Sequence, residues 1–197
     1  MGRHGDYFSF FGLPRKLQID PEELERRFRT LSRQFHPDYF YNAEPAERRA
    51  SLERSSYLND AYRTLKGPAS RIEYLLRLEG HGPASPEEAS RQVPPGLLEE
   101  VFALNEELDE IRQMRSDGAP PAEWRPRLER ARQPIVEKQK EHESQLEALS
   151  SRWDAAIESD ADAEERAAIL LALRERFLER NYISNLLSGI ERELERS

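Results

Sequence analysis

From Leu97 to Leu194 the apolar residues return every three or four positions, and nowhere do β-branched residues alternate as a strand requires. Leu97, Val101, Leu104, Leu108 and Ile111 form one such stripe; Leu146, Leu149, Trp153 and Ile157 a second; Ile183, Leu187, Ile190 and Leu194 a third. Valine, at home in sheets, occurs only at Val93, Val101 and Val136. This periodicity predicts an all-α protein whose helices each bury one face.

The helices fall into two groups. The stretch 81–96, "HGPASPEEASRQVPPG", holds two glycines and four prolines and cannot continue a helix. We place a linker there, between an N-terminal module at 1–80 and a C-terminal module at 97–197. The second module reads as a three-helix bundle with helices near 97–115, 123–158 and 163–195, joined by the short breaks "SDGAPP" and "SDAD". Pro134 should kink the middle helix or delay its start.

Charge separates the modules as well. Residues 1–80 carry 14 Lys+Arg against 12 Asp+Glu, a net +2, and residues 81–197 carry 16 against 26, a net −10, so the first part of the chain is slightly basic and the net charge of −8 comes from the second. So acidic a chain has no broad basic face for nucleic acid. Without a single cysteine it has no disulfide, thiolate metal site or cysteine nucleophile. No apolar run is long enough to span a bilayer and no signal-peptide pattern is visible, so a soluble, cytoplasmic protein is expected.

In the first module a helix opens with Asp20 as N-cap, Pro21 at its first position and Glu23 three residues after the cap. Leu24, Phe28, Leu31 and Phe35 form its apolar stripe, and Arg26, Arg29 and Arg33, with Arg27 beside them, its opposite face. It stops at His36-Pro37-Asp38. Proline ends a helix unaided, and Asp38 could simply cap the next segment. Catalysis by His36 and Asp38 fails for want of a nucleophile and a pocket. A rigid turn displaying both residues at the end of an arginine-bearing helix is instead a recognition surface for an acidic partner, pre-set to dock at low entropic cost. His4, His81 and His142 are scattered singly and read as solvated surface.

"DYFSFFGLP", "LERRFRTLSRQFHPDYF" and "LNDAYRTLKGPASRIEYLL" closely resemble the J domain, whose signature is the tripeptide His-Pro-Asp in the loop after its second helix. "FGLP", "EYLLRL" and the acidic helical second module resemble the HscB family of J-domain co-chaperones of iron–sulfur cluster biogenesis, over nearly the whole chain. That resemblance implies that His36, Pro37 and Asp38 stimulate ATP hydrolysis by a DnaK-type, HscA-like chaperone, with Arg26, Arg27, Arg29 and Arg33 touching its ATPase domain. It implies that the second module binds an IscU-like cluster scaffold. Tyr39 stands where many J domains have a lysine. The cysteine pairs of some eukaryotic relatives are missing, which fits a bacterial-type, metal-free form. No cofactor, resident cluster or enzyme activity is expected.

The scaffold site itself rests on the first bundle helix. Leu98 and Phe102 lie four apart beside the Leu97–Ile111 stripe, and the same flank continues to Glu106 and Glu110. Periodicity alone favours a wider buried stripe. The family resemblance carries the site onto Leu98, Phe102, Glu106 and Glu110, with an aromatic from the last helix, Tyr182 or else Phe177. Glu99 and Ala103 depart from the expected pattern at its edge. A J protein serving general clients and a purely structural helical adaptor are the competing functions. The oligomeric state stays open.

Overall fold

The computed structural model describes residues 5–82 and 95–195; twelve positions of the expected linker, 83–94, lie outside them. Every regular element among the described residues is helical: α1 (Tyr7–Phe10), α2 (Pro21–Gln34), α3 (Pro45–Lys66), α4 (Pro68–Leu78), α5 (Leu98–Ser116), α6 (Pro121–Glu158) and α7 (Ala163–Glu195), with 3-10 turns at Pro37–Phe40 and Pro95–Leu97. The helix starts follow the capping chemistry. Asp20 accepts the N–H of Glu22, and proline occupies the first turn of α2, α3 and α4, where a missing N–H costs nothing. Helix α6 is unbroken through Pro126 and Pro134, so Pro134 does not delay its start.

The chain forms two compact units. One contains 5–82 together with Ser150–Leu170; the other contains 95–149 and 171–195. This differs from a boundary drawn at the linker alone, because the turn joining α6 to α7 and the helix ends beside it belong to the first unit.

In the first unit Phe8, Phe11, Leu17, Leu24, Leu58, Leu65, Leu75 and Leu76 are buried. Around them Tyr7 stacks on Tyr74 with ring centroids 4.4 Å apart, and Phe28 stacks on Tyr62 at 4.2 Å. The α6–α7 turn is joined to this core through backbone groups. Trp153 donates its indole N–H to the Arg15 carbonyl at 2.7 Å, and the buried Asp154 carboxylate accepts the N–H groups of Leu17 and Gln18 at 2.6 and 2.8 Å. Trp153 is therefore core of this unit and not of the bundle, as its place in the Leu146–Ile157 stripe suggested.

The second unit is a three-helix core. Leu97, Val101, Leu104 and Ile111 of the α5 region meet Trp124, Leu128 and Ile135 of α6 and Ile183, Leu187 and Ile190 of α7. Arg127 clamps Glu107 at 3.0 Å and also pairs with Glu110, tying α5 to α6. Arg115 pairs with Glu193 at 3.0 Å, so the C-terminal ends of α5 and α7 lie together and the two helices run parallel.

Candidate functional site

The His-Pro-Asp turn is built by two successive helix ends. Helix α2 closes when the N–H of Phe35 bonds to the Leu31 carbonyl at 2.9 Å. Pro37 then holds His36 in extended backbone, φ −64° and ψ 126°, which makes His36 the N-cap of the next 3-10 turn. The imidazole performs the capping: its Nδ1 accepts the Asp38 N–H at 3.3 Å and lies 3.5 Å from the Asp38 carboxylate. With Nδ1 accepting, the proton of a neutral His36 sits on Nε2, leaving that edge as the outward donor. The turn is fastened from behind by Ser51, whose hydroxyl donates to the Phe35 carbonyl at 3.0 Å. Its recognition groups stay in solvent: the side chains of His36 and Asp38 are 50% and 86% exposed.

The four arginines of α2 divide by what they touch. Arg26 reaches Glu23 at 2.5 Å and Arg29 reaches Glu25 at 3.0 Å, both as exposed pairs along their own helix, which a competing partner can exchange at little cost. Arg33 is exposed in the last turn beside His36 and forms no ion pair among the described residues. Arg27 differs. It pairs with Glu23 at 2.6 Å and donates to the carbonyls of Phe11 and Gly12 at 2.7 and 2.6 Å, which pins the N-terminal loop onto α2. Gly12 suits that grip, since at φ +65° a side chain would be strained and its Cβ would stand 3.2 Å from the Arg27 guanidinium. Hydrogen bonds from Arg27 and then Arg26 hold the Glu23 carboxyl below its ordinary range. Arg27 thus has an internal task that the sequence pattern does not separate from those of its neighbours.

On the second unit the flank beside the buried α5 stripe is open. Leu98 is 43% and Phe102 68% exposed, so the wider buried stripe that periodicity favours is not what forms. Glu106 is exposed and makes no ion pair among the described residues, whereas Glu110 is already engaged by Arg127. Tyr182 is half-buried against the unit's core, and burial raises its phenol pKa. Phe177 is buried to 3% and so is core, not a contact residue. His142, expected at the surface, is 6% exposed, with Nδ1 3.3 Å from Glu179 yet out of line for a hydrogen bond.

Among the described residues no group of three or more His, Asp or Glu side chains is placed to hold a metal ion, and no helix is long and apolar enough to cross a membrane. What the two surfaces can do chemically is bind: a rigid polar turn beside cations on one unit, and an apolar pair leading into carboxylates on the other.

No family model matches the chain. Among solved structures it is similar to the chaperone HscB from Vibrio cholerae, with 27% identity and a TM-score of 0.62 over 97% of this chain and 98% of that one. It is similar also to the human co-chaperone protein HscB, with 27% identity and a TM-score of 0.63 over 98% of this chain and 84% of that one.

Proposed function

We propose, from the premise that this is an HscB-type chain, that its co-chaperone role in iron–sulfur cluster biogenesis is to stimulate an HscA-like, DnaK-type ATPase and to bring an IscU-like scaffold to it. The observation that carries this reading is the His36 turn. An imidazole that caps its own 3-10 helix, behind a proline and beside an exposed carboxylate, is fixed before any partner arrives. Such a turn presents two polar side chains in one geometry, and Arg26, Arg29 and Arg33 surround its approach with cations that suit an acidic ATPase surface. Arg27 supports this surface by holding the loop behind α2.

The scaffold is taken by the α5 flank of the second unit. Leu98 and Phe102 supply apolar burial, Glu106 and Glu110 select a basic patch, and Tyr182 contributes from α7. Exposure of Leu98 and Phe102 supports this, because neither ring nor branch is needed to fill the bundle.

The test is an ATPase assay with a purified HscA-type chaperone and an IscU-type scaffold. The chain alone should stimulate hydrolysis, and chain with scaffold should stimulate it more than either does singly. Arg26→Glu with Arg33→Glu should raise the half-maximal concentration steeply, and more at low than at high salt. Absence of stimulation by the wild-type chain overturns the reading.

A further inference from the structure

Six large apolar side chains stand exposed among the described residues, and they are not scattered. Leu98 and Phe102 belong to the α5 flank, and Leu171 stands alone on α7. Tyr39 at 75% exposure and Tyr41 at 78% follow directly on the His-Pro-Asp tripeptide, and Leu52 at 57% is the chain neighbour of Ser51, which fastens the turn from behind. Tyr39 and Tyr41 flank Phe40, which is half-buried and so faces the fold, while its neighbours on either side face away. The backbone that carries them is ordered by hydrogen bonds. Tyr39 N–H bonds to the His36 carbonyl at 3.1 Å and Tyr41 N–H to the Asp38 carbonyl at 3.4 Å.

Resting on the co-chaperone reading, we infer that Tyr39 and Tyr41 form a second, aromatic half of the chaperone-docking surface, in which Tyr41 anchors the partner and Tyr39 positions His36. Tyrosine is enriched among the residues that dominate interface energy, because a rigid ring delivers much contact area for little entropy. Two such rings left in solvent on a proline-fixed turn contribute almost nothing to the fold. Tyr39 has a further relation to the turn. Its ring meets the His36 imidazole edge-on, with centroids 6.0 Å apart and planes at 69°. A lysine at this position could supply a cation but could not hold the imidazole by its face or edge.

The cations are supplied elsewhere. Arg48 and Arg49 lie in the first turns of α3, directly after the turn, and both are exposed with no ion pair among the described residues. Glu44 and Glu47 are exposed at the same end of α3 and balance them, so the unbalanced cation beside the tyrosines is Arg33 at the end of α2, with Arg48 and Arg49 as donors placed to reach a carboxylate of the partner. The partner surface that fits is an acidic one with an apolar recess, on the same ATPase that His36 and Asp38 address.

The experiment is a titration of a purified HscA-type chaperone's steady-state ATPase with the full chain and five variants: Tyr41→Ala, Tyr41→Phe, Tyr39→Ala, Tyr39→Phe and His36→Gln. Tyr41→Ala should raise the half-maximal concentration about tenfold at an unchanged plateau, as loss of a hot-spot side chain does. Tyr39→Ala should lower the plateau instead and shift the His36 ring-nitrogen NMR signals, while both Phe variants behave as wild type. Melting curves that superpose for all five show that folding is not the cause. If both Ala variants titrate like wild type while His36→Gln is inactive, the aromatic half is refuted and the co-chaperone reading stands. If the wild-type chain gives no stimulation, both fall.

Discussion

Asp154 and Arg71 hold the two backbone groups of one residue, Leu17. The Asp154 carboxylate accepts the Leu17 N–H at 2.6 Å, and the Arg71 guanidinium donates to the Leu17 carbonyl, with both charged residues 6% exposed. Arg71 also donates to the Leu65 carbonyl at 2.7 Å, so the loop between α1 and α2 and the end of α3 meet on one guanidinium. Burial pushes the Asp154 carboxyl upward against the lowering effect of the Leu17 and Gln18 N–H groups, and it depresses the Arg71 guanidinium.

Replacing Asp154 with Ala strands the buried N–H of Leu17 away from water, while the N–H of Gln18, an exposed residue, can turn to solvent. At about 1–3 kcal/mol for an unsatisfied buried group, the variant should lose about 2 kcal/mol of stability, with Asp154→Asn losing less because it keeps one acceptor. Urea unfolding followed by tryptophan fluorescence in a Trp124→Phe background, which leaves Trp153 as the reporter, measures this. A change below about 0.5 kcal/mol would show that solvent reaches these amides and that the grip on Leu17 is not structural.

Arg27 and Arg29 should separate cleanly. Arg29→Ala removes one exposed intrahelical pair and should alter stability by under about 0.5 kcal/mol. Arg27→Ala frees the carbonyls of Phe11 and Gly12 and should cost about 1–2 kcal/mol. Thermal melts of the two variants side by side decide it, and equal effects would remove the distinction between docking and structural arginines.

His142 should make the second unit sensitive to mild acid. Burial lowers its pKa below the ordinary value, against Glu179 and Glu141, which raise it, while Arg176 and Lys138 lower it further. The folded state therefore resists a proton that the unfolded chain accepts. Stability is full above about pH 6.5 and falls as the pH drops from there toward the depressed folded value. His142→Gln should flatten stability between about pH 7 and pH 5. An unchanged slope in that variant would assign the acid sensitivity to other groups.

Leu98→Ala with Phe102→Ala should weaken binding to an IscU-type scaffold by about 100-fold or more while leaving the melting temperature within about 2 °C of wild type. Isothermal titration and melting on the same sample answer both parts. Normal scaffold affinity would contradict the α5 flank as the docking face.

The helical architecture was legible because periodicity reports burial directly: the stripes at Leu97–Ile111 and Ile183–Leu194 supply the second unit's core nearly as spaced. The α5 flank was ambiguous for a physical reason. Leu98 and Phe102 at four-residue spacing look the same whether a neighbouring helix covers them or not, and only tertiary structure shows that none among the described residues does. The unit boundary was hidden because the α6–α7 turn is joined to the first unit through main-chain amides and carbonyls, which carry no sequence signature. His142 lies among charged residues in sequence, and the helix that buries it comes some forty positions later. Tyr39 and Tyr41 carried a readable signal, as parts of three consecutive aromatics after His-Pro-Asp, but the sequence does not say that Phe40 alone turns inward.

The central claim is that the pre-set His36 turn drives a partner ATPase, and single-turnover ATP hydrolysis by a purified HscA-type chaperone tests it most directly. Wild-type chain should accelerate hydrolysis at saturating concentration. His36→Gln, whose side chain leaves a half-exposed position and should not unfold the protein, should bring the rate back to that of the chaperone alone. Acceleration by His36→Gln equal to wild type would contradict the account.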